Sequence, residues 1–189
     1  MLDDVGAGRL RRLQELYGDT YFQDVPPQRG SDDNQNVSVT LDAALRFVDV
    51  TVHNIDGVGR SSRSVGAAFA GAFAEADGRR AMMSGEMSPR RNELVERADA
   101  VRNGTFVWPT TRRYIGPSGN QWPAARKSRP RPEPPKTGQA TNGHVSVELP
   151  AGRVGSMRVD VDEDWLSNAT SSDLQSGVRE AIEDAGEWF

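Results

Sequence analysis

The sequence predicts an α+β chain of two β-hairpin-plus-helix units, an antiparallel sheet with helices packed on one face, and a Pro-rich linker between the units. Three observations predict it. Apolar and polar residues alternate at Val37-Ser38-Val39-Thr40-Leu41 and again at Val145-Ser146-Val147-Glu148-Leu149; period two marks a half-buried strand. Each run is followed by a turn, a second apolar strand, and a stretch with apolar residues at helical spacing. Between the two copies, residues 126–141 hold four prolines and five basic residues. Such a stretch has too little apolar surface to order itself.

Taken in order, residues 3–17 read as a short helix. Val5, Leu10, Leu13, Leu16 and Tyr17 fall on one side, with Arg9, Arg11, Arg12 and Glu15 on the other, and Gly18-Asp19 ends it. A polar, Pro-containing loop runs to residue 36. Val37 to Leu41 is a strand, Asp42-Ala43-Ala44 a turn, and Phe47 to Val52 the second strand of a hairpin. Residues 54–60 form a Gly-containing loop. A helix is expected over 64–80, with Val65, Phe69 and Phe73 four apart and small residues between them.

A polar helix is expected over 89–101. Residues 106–123 are aromatic and Pro-bounded, and 126–141 are assigned to a disordered linker. The pattern then returns: strand 145–149, turn 150–152, strand 154–161, acidic loop 162–166 and helix 171–187. The divisions are therefore 1–36, 37–88 as the first unit, 89–144 as a basic, aromatic and Pro-rich connector, and 145–189 as the second unit.

Repetition is the main organising feature. Val37-Ser38-Val39 aligns with Val145-Ser146-Val147. Val65, Phe69, Phe73 and Ala76 align with Leu174, Val178, Ile182 and Ala185. Arg46 is matched to Arg153, with one residue fewer in the second turn. A lone two-stranded hairpin is marginal in water, so two such units are expected to pair, within one chain or as a homodimer.

Composition narrows the chemistry. There is no cysteine, which excludes disulfides and thiolate sites, and there are only two histidines. No run approaches the roughly 20 apolar residues needed to span a bilayer. Met1-Leu2-Asp3-Asp4-Val5 has neither a basic nor an apolar signal region. A cytoplasmic location is expected, at the nucleoid if DNA is the partner. The net charge of −4 is unevenly spread. Residues 79–136 carry 13 Lys/Arg and 5 Asp/Glu, whereas the rest carries 10 and 22.

No motif for catalysis or metal binding is complete. Asp160-x-Asp162-x-Asp164 begins like a calcium loop, but Trp165 and Ser171 stand where Gly and Glu are needed. Gly57-Val58-Gly59 lacks the third glycine of a dinucleotide loop. Glu180 and Asp184 share a helix face, as do many solvated carboxylates. No enzyme activity, cofactor or metal is expected.

The basic middle remains. Arg126, Lys127, Arg129 and Arg131 form an extended cationic arm suited to phosphates. Arg112 and Arg113, near Trp108, Tyr114 and Trp122, mix cations with stacking surfaces. Pro130-x-Pro132 also permits a polyproline II partner ligand.

"VSVTLDAALRFVDVTVHN…SVGAAFAGAFAEADGRR" and "VSVELPAGRVGSMRVDVDEDWLSNATSSDLQSGVREAIEDAG" resemble the core of the YbaB/EbfC nucleoid-associated family, over residues 37–81 and 145–186. That family shows strand, small-residue turn, strand ending in Asp, loop and Ala-rich helix. The helix that usually precedes its hairpin is short before the first copy and is replaced by the linker before the second. The resemblance implies a small α+β dimer fold and DNA binding. Actinobacterial relatives also include accessory proteins of type VII secretion. Two functions are thus expected in order: non-specific DNA binding through the basic connector, or an accessory or chaperone-like factor binding a protein partner and no DNA.

Overall fold

The structure, a computed structural model, describes residues 4–17, 24–87, 96, 99–100, 102–103, 134–149 and 157–188. It is α+β, as the sequence predicts, with two three-stranded antiparallel sheets and five helices among the described residues. The first part comprises α1 (Asp4–Tyr17), β1 (Gln28–Ser31), β2 (Val37–Leu41), β3 (Phe47–Val52), α2 (Ile55–Val58) and α3 (Ser62–Met87). The second comprises β4 (Lys136–Gln139), β5 (Val145–Leu149), β6 (Arg158–Val161), α4 (Glu163–Leu166) and α5 (Ser171–Asp184). The sheets run β1-β2-β3 and β4-β5-β6. Among the described residues no helix is long and apolar enough to cross a membrane.

The repeat is deeper than a hairpin and a helix. Each unit has a third strand in front of the hairpin. Gly30 pairs with Val39 in one sheet, and Gly138 with Val147 in the other. Both glycines press on a helix backbone. A Cβ at Gly30 would collide with the Ala72 carbonyl and the Ala76 nitrogen; one at Gly138 would collide with the Ala181 carbonyl and the Ala185 nitrogen. The tight turn after each added strand also recurs. Gln35 N–H donates to the Asp32 carbonyl at φ +58°, and Gly143 N–H to the Ala140 carbonyl at φ +75°.

Several expectations are corrected. The sequence assigned Lys136–Gln139 to a linker and Gln28–Ser31 to a loop, but both are strands. The single larger sheet is instead two separate sheets. The second hairpin connection is one residue longer, not shorter. Ten residues separate paired Val39 and Val50, and eleven separate paired Val147 and Val159. Arg153 and the first three residues of the strand expected over 154–161 lie outside the described residues; of the rest, Met157 is not in a strand and β6 is Arg158–Val161. α3 extends to Met87, and α5 stops at Asp184, before Gly186 at φ +70°. Of the helix expected over 89–101, Glu96, Asp99 and Ala100 are described, and all three are helical.

One core joins the two units. Val37, Val39 and Leu41 of β2 are buried beneath α3, and Val145, Val147 and Leu149 of β5 are buried beneath α5. Fully burying one such side chain is worth on the order of 1.5–3 kcal/mol. Each helix also reaches across: α3 packs on β6, and α5 packs on β3. The crossings are reciprocal. Val161 N–H donates to Ser62 Oγ (3.0 Å), and Ile55 N–H donates to Ser171 Oγ (3.1 Å). Arg60 locks the pairing by donating to the carbonyls of Leu166, Ser167 and Ala169. Glu187 gathers a third set of elements. Its carboxylate pairs with Arg9 of α1 and Lys136 of β4, and its carbonyl accepts from Phe47 N–H.

Candidate functional site

The six residues that the sequence singles out for nucleic-acid contact, Arg112, Arg113, Arg126, Lys127, Arg129 and Arg131, lie outside the described residues. The structure does define what surrounds that segment in the chain. It leaves the end of α3 at Met87 and rejoins at β4, one of the two edge strands of the second sheet. Residues 88–133 carry ten Lys/Arg and four Asp/Glu, a net of +6; everything else carries 13 and 23, a net of −10.

Most arginines of the two units are already paired. Arg46 is held by Asp42, Arg60 by Asp56, Arg79 by Glu75, Arg80 by Asp77, Arg158 by Glu148 and Arg179 by Asp49. Pairing of this kind cancels local field and leaves little for a polyanion.

The carboxylates considered for chemistry have structural partners. Glu180 accepts from Thr141 N–H, and Asp184 from Gln139 N–H (both 3.0 Å). Glu75, at the position of α3 equivalent to Asp184, accepts from Ser31 N–H. Glu75 and Asp184 thus take outward-pointing donors of β1 and β4, and Glu180 one of the turn that follows β4. Ser62 and Gln175 take those of Val161 and Val52 on the other two edges. Side-chain capping of this kind blunts a sheet edge against strand addition. Asp162 caps α4 and pairs with His144, 3.1 Å away. Among the described residues no group of three or more His, Cys, Asp or Glu could hold a metal ion.

Hydrogen bonds to the ionised form hold three exposed carboxyls below their ordinary range. The Ser31 N–H acts on Glu75, with Arg79 adding to it; the Trp165 N–H and His144 act on Asp162; the Thr170 N–H and hydroxyl act on Asp173. A carboxyl depressed by folding stabilises above its unfolded value, and that stabilisation is lost as pH falls through the folded one. Melting temperature is therefore expected to fall between about pH 5 and about pH 3. In Asp173→Asn, which lacks the ionisable half of the Thr170 capping box, the fall should be shallower. Thermal melts across that range check it, and an unchanged slope would refute the assignment.

One polar cluster was not visible in sequence. On the outer face of the first sheet, Arg29 Nη2 lies 2.7 Å from Ser38 Oγ and 3.0 Å from His53 Nε2, and Ser38 Oγ is 3.2 Å from His53 Nε2. Residues from β1, β2 and the end of β3 meet there because antiparallel register brings them together. The third member is a guanidinium, not a carboxylate, and Ser38 is only 2% exposed. Neither fact suits a serine nucleophile, which needs an oriented base and an accessible hydroxyl. No family model, curated protein or solved structure matches the chain.

Proposed function

We propose that this chain is a non-enzymatic, YbaB/EbfC-like nucleoid-associated protein that contacts DNA non-specifically through its basic connector. Arg126, Lys127, Arg129 and Arg131 are the phosphate-contacting residues, assisted by Arg112 and Arg113. The supporting observation is the segregation of charge: a net of −10 outside residues 88–133 and +6 within them. A duplex would be repelled by the paired units and drawn to the connector. The hydrogen-bonded strand edges argue against the other expected function in its commonest form, capture of a protein partner by strand addition.

Titration of fluorescent duplex DNA at low and moderate salt tests the reading. Binding at micromolar protein that weakens steeply with salt is expected. Absence of salt-dependent binding would sink it and leave the accessory-factor function. The controls must be substitutions, because a deletion reaching residue 141 would remove β4.

A further inference from the structure

We infer that Arg29, Ser38 and His53 form a receptor for a phosphate group on the outer face of the β1-β2-β3 sheet. This site is separate from the connector and does not depend on it. Arg29 is exposed and has no carboxylate within ion-pair distance among the described residues, unlike most arginines of the two units. Its Nη2 is anchored by Ser38 and His53, while its Nε and Nη1 make no described hydrogen bond. A guanidinium fixed on one side with free donors on the other matches the fork geometry of a phosphate.

The surroundings favour an anion. The nearest acids by register and packing are engaged elsewhere. Asp49, two strands away, accepts from Thr51 Oγ1 and faces Arg179. Glu75 of α3 accepts from Ser31 N–H and Arg79, and Arg79 also donates to the Arg29 carbonyl at 3.0 Å. Thus Arg79 lies beside Arg29 at the same sheet edge. Buried Ser38 acts as a pedestal that keeps the guanidinium in place. His53 is exposed, and its ring can turn from accepting Arg29's hydrogen bond to donating toward a bound oxyanion. The second unit has no counterpart: Thr137 and Asp162 stand at the positions of Arg29 and His53. The site is therefore a departure from the repeat and not a by-product of it.

The chain has only two histidines, so imidazole NMR signals of the full chain read the site directly, with His144 as internal control. Titration with inorganic phosphate at constant ionic strength should shift the His53 signals saturably and leave His144 unmoved. Arg29→Gln should weaken the response by at least about tenfold, with Arg29→Lys intermediate. A His53 signal that does not respond, a matching drift of both histidines, or an intact response in Arg29→Gln would overturn the proposal. The source of the phosphate follows from a chain whose connector residues Arg126, Lys127, Arg129 and Arg131 are changed to Gln. If short duplex DNA still shifts His53 there, the site takes a nucleic-acid phosphate. If only inorganic phosphate does, it takes a small phosphorylated ligand. Because this chain keeps the receptor and lacks the connector charge, failure of one proposal is separable from failure of the other.

Discussion

Replacing Gly30 or Gly138 by alanine is expected to destabilise the protein more than any other single-methyl addition. The new Cβ would strike backbone atoms of α3 at Ala72 and Ala76, or of α5 at Ala181 and Ala185. Helix backbone cannot rotate away as a side-chain tip can, so strand and helix must separate. Overpacking typically costs about 1–3 kcal/mol, and these positions belong at the top of that range or above it. For a chain of this size that corresponds to roughly 6–12 °C in melting temperature. Gly78→Ala is the matched control. It lies on the exposed side of α3, where an added Cβ meets nothing, and should stabilise by about 0.5–1 kcal/mol through helix propensity. Thermal melts of the three variants decide the matter. Equal effects at Gly30, Gly138 and Gly78 would mean that the strand-on-helix contact is not what holds β1 and β4 in place.

The second large effect is expected at the turn of the first hairpin. Asp42 Oδ1 accepts from the N–H groups of Ala44 and Arg46 (both 2.8 Å), and Oδ2 accepts from Arg46 Nε (3.0 Å). Both side chains are about 5% exposed. Leu45, at φ +62°, is held in a conformation that costs a non-glycine residue energy. One carboxylate thus fixes a strained turn and balances a buried guanidinium. Asp42→Ala removes both functions and leaves the Arg46 charge without its carboxylate. Loss of one partner of a buried pair costs about 3–5 kcal/mol. Urea unfolding should show a correspondingly lower midpoint with unchanged slope, and the double change Asp42→Ala, Arg46→Met should recover part of it. A loss below about 1 kcal/mol would place the pair among surface bridges instead.

What could be read from sequence divides along physical lines. β2, β3, β5 and β6 were legible because each has one buried and one wetter face, so apolar residues alternate. α3 and α5 were legible through Val65, Phe69 and Phe73, and through Leu174, Val178 and Ile182, which are all buried. β1 and β4 were not, because Gln-Arg-Gly-Ser and Lys-Thr-Gly-Gln contain no apolar side chain. Their inward residue is a glycine, whose packing partner is a backbone and leaves no hydrophobic trace. The spacing of Gly30 and Gly138 ahead of the two Val-Ser-Val runs was the available signal. α2 and α4 are single turns nucleated by Asn54 and Asp162 caps, too short for any period to show. Arg29, Ser38 and His53 are brought together by register alone, and register is a property of the sheet and not of any one segment. The connector residues were picked out by charge and composition, which need no fold.

The most direct test of the account is the salt dependence of DNA affinity in the intact chain and in a chain with Arg126, Lys127, Arg129 and Arg131 changed to Gln. Each phosphate neutralised adds roughly 0.9 to the slope of log affinity against log salt. If the connector is the contact, the slope of the Gln chain should be shallower by about 3–4, with melting temperature unchanged, because the two units remain intact. Equal slopes for the two chains would contradict the account and place DNA contact, if any, on the paired units themselves.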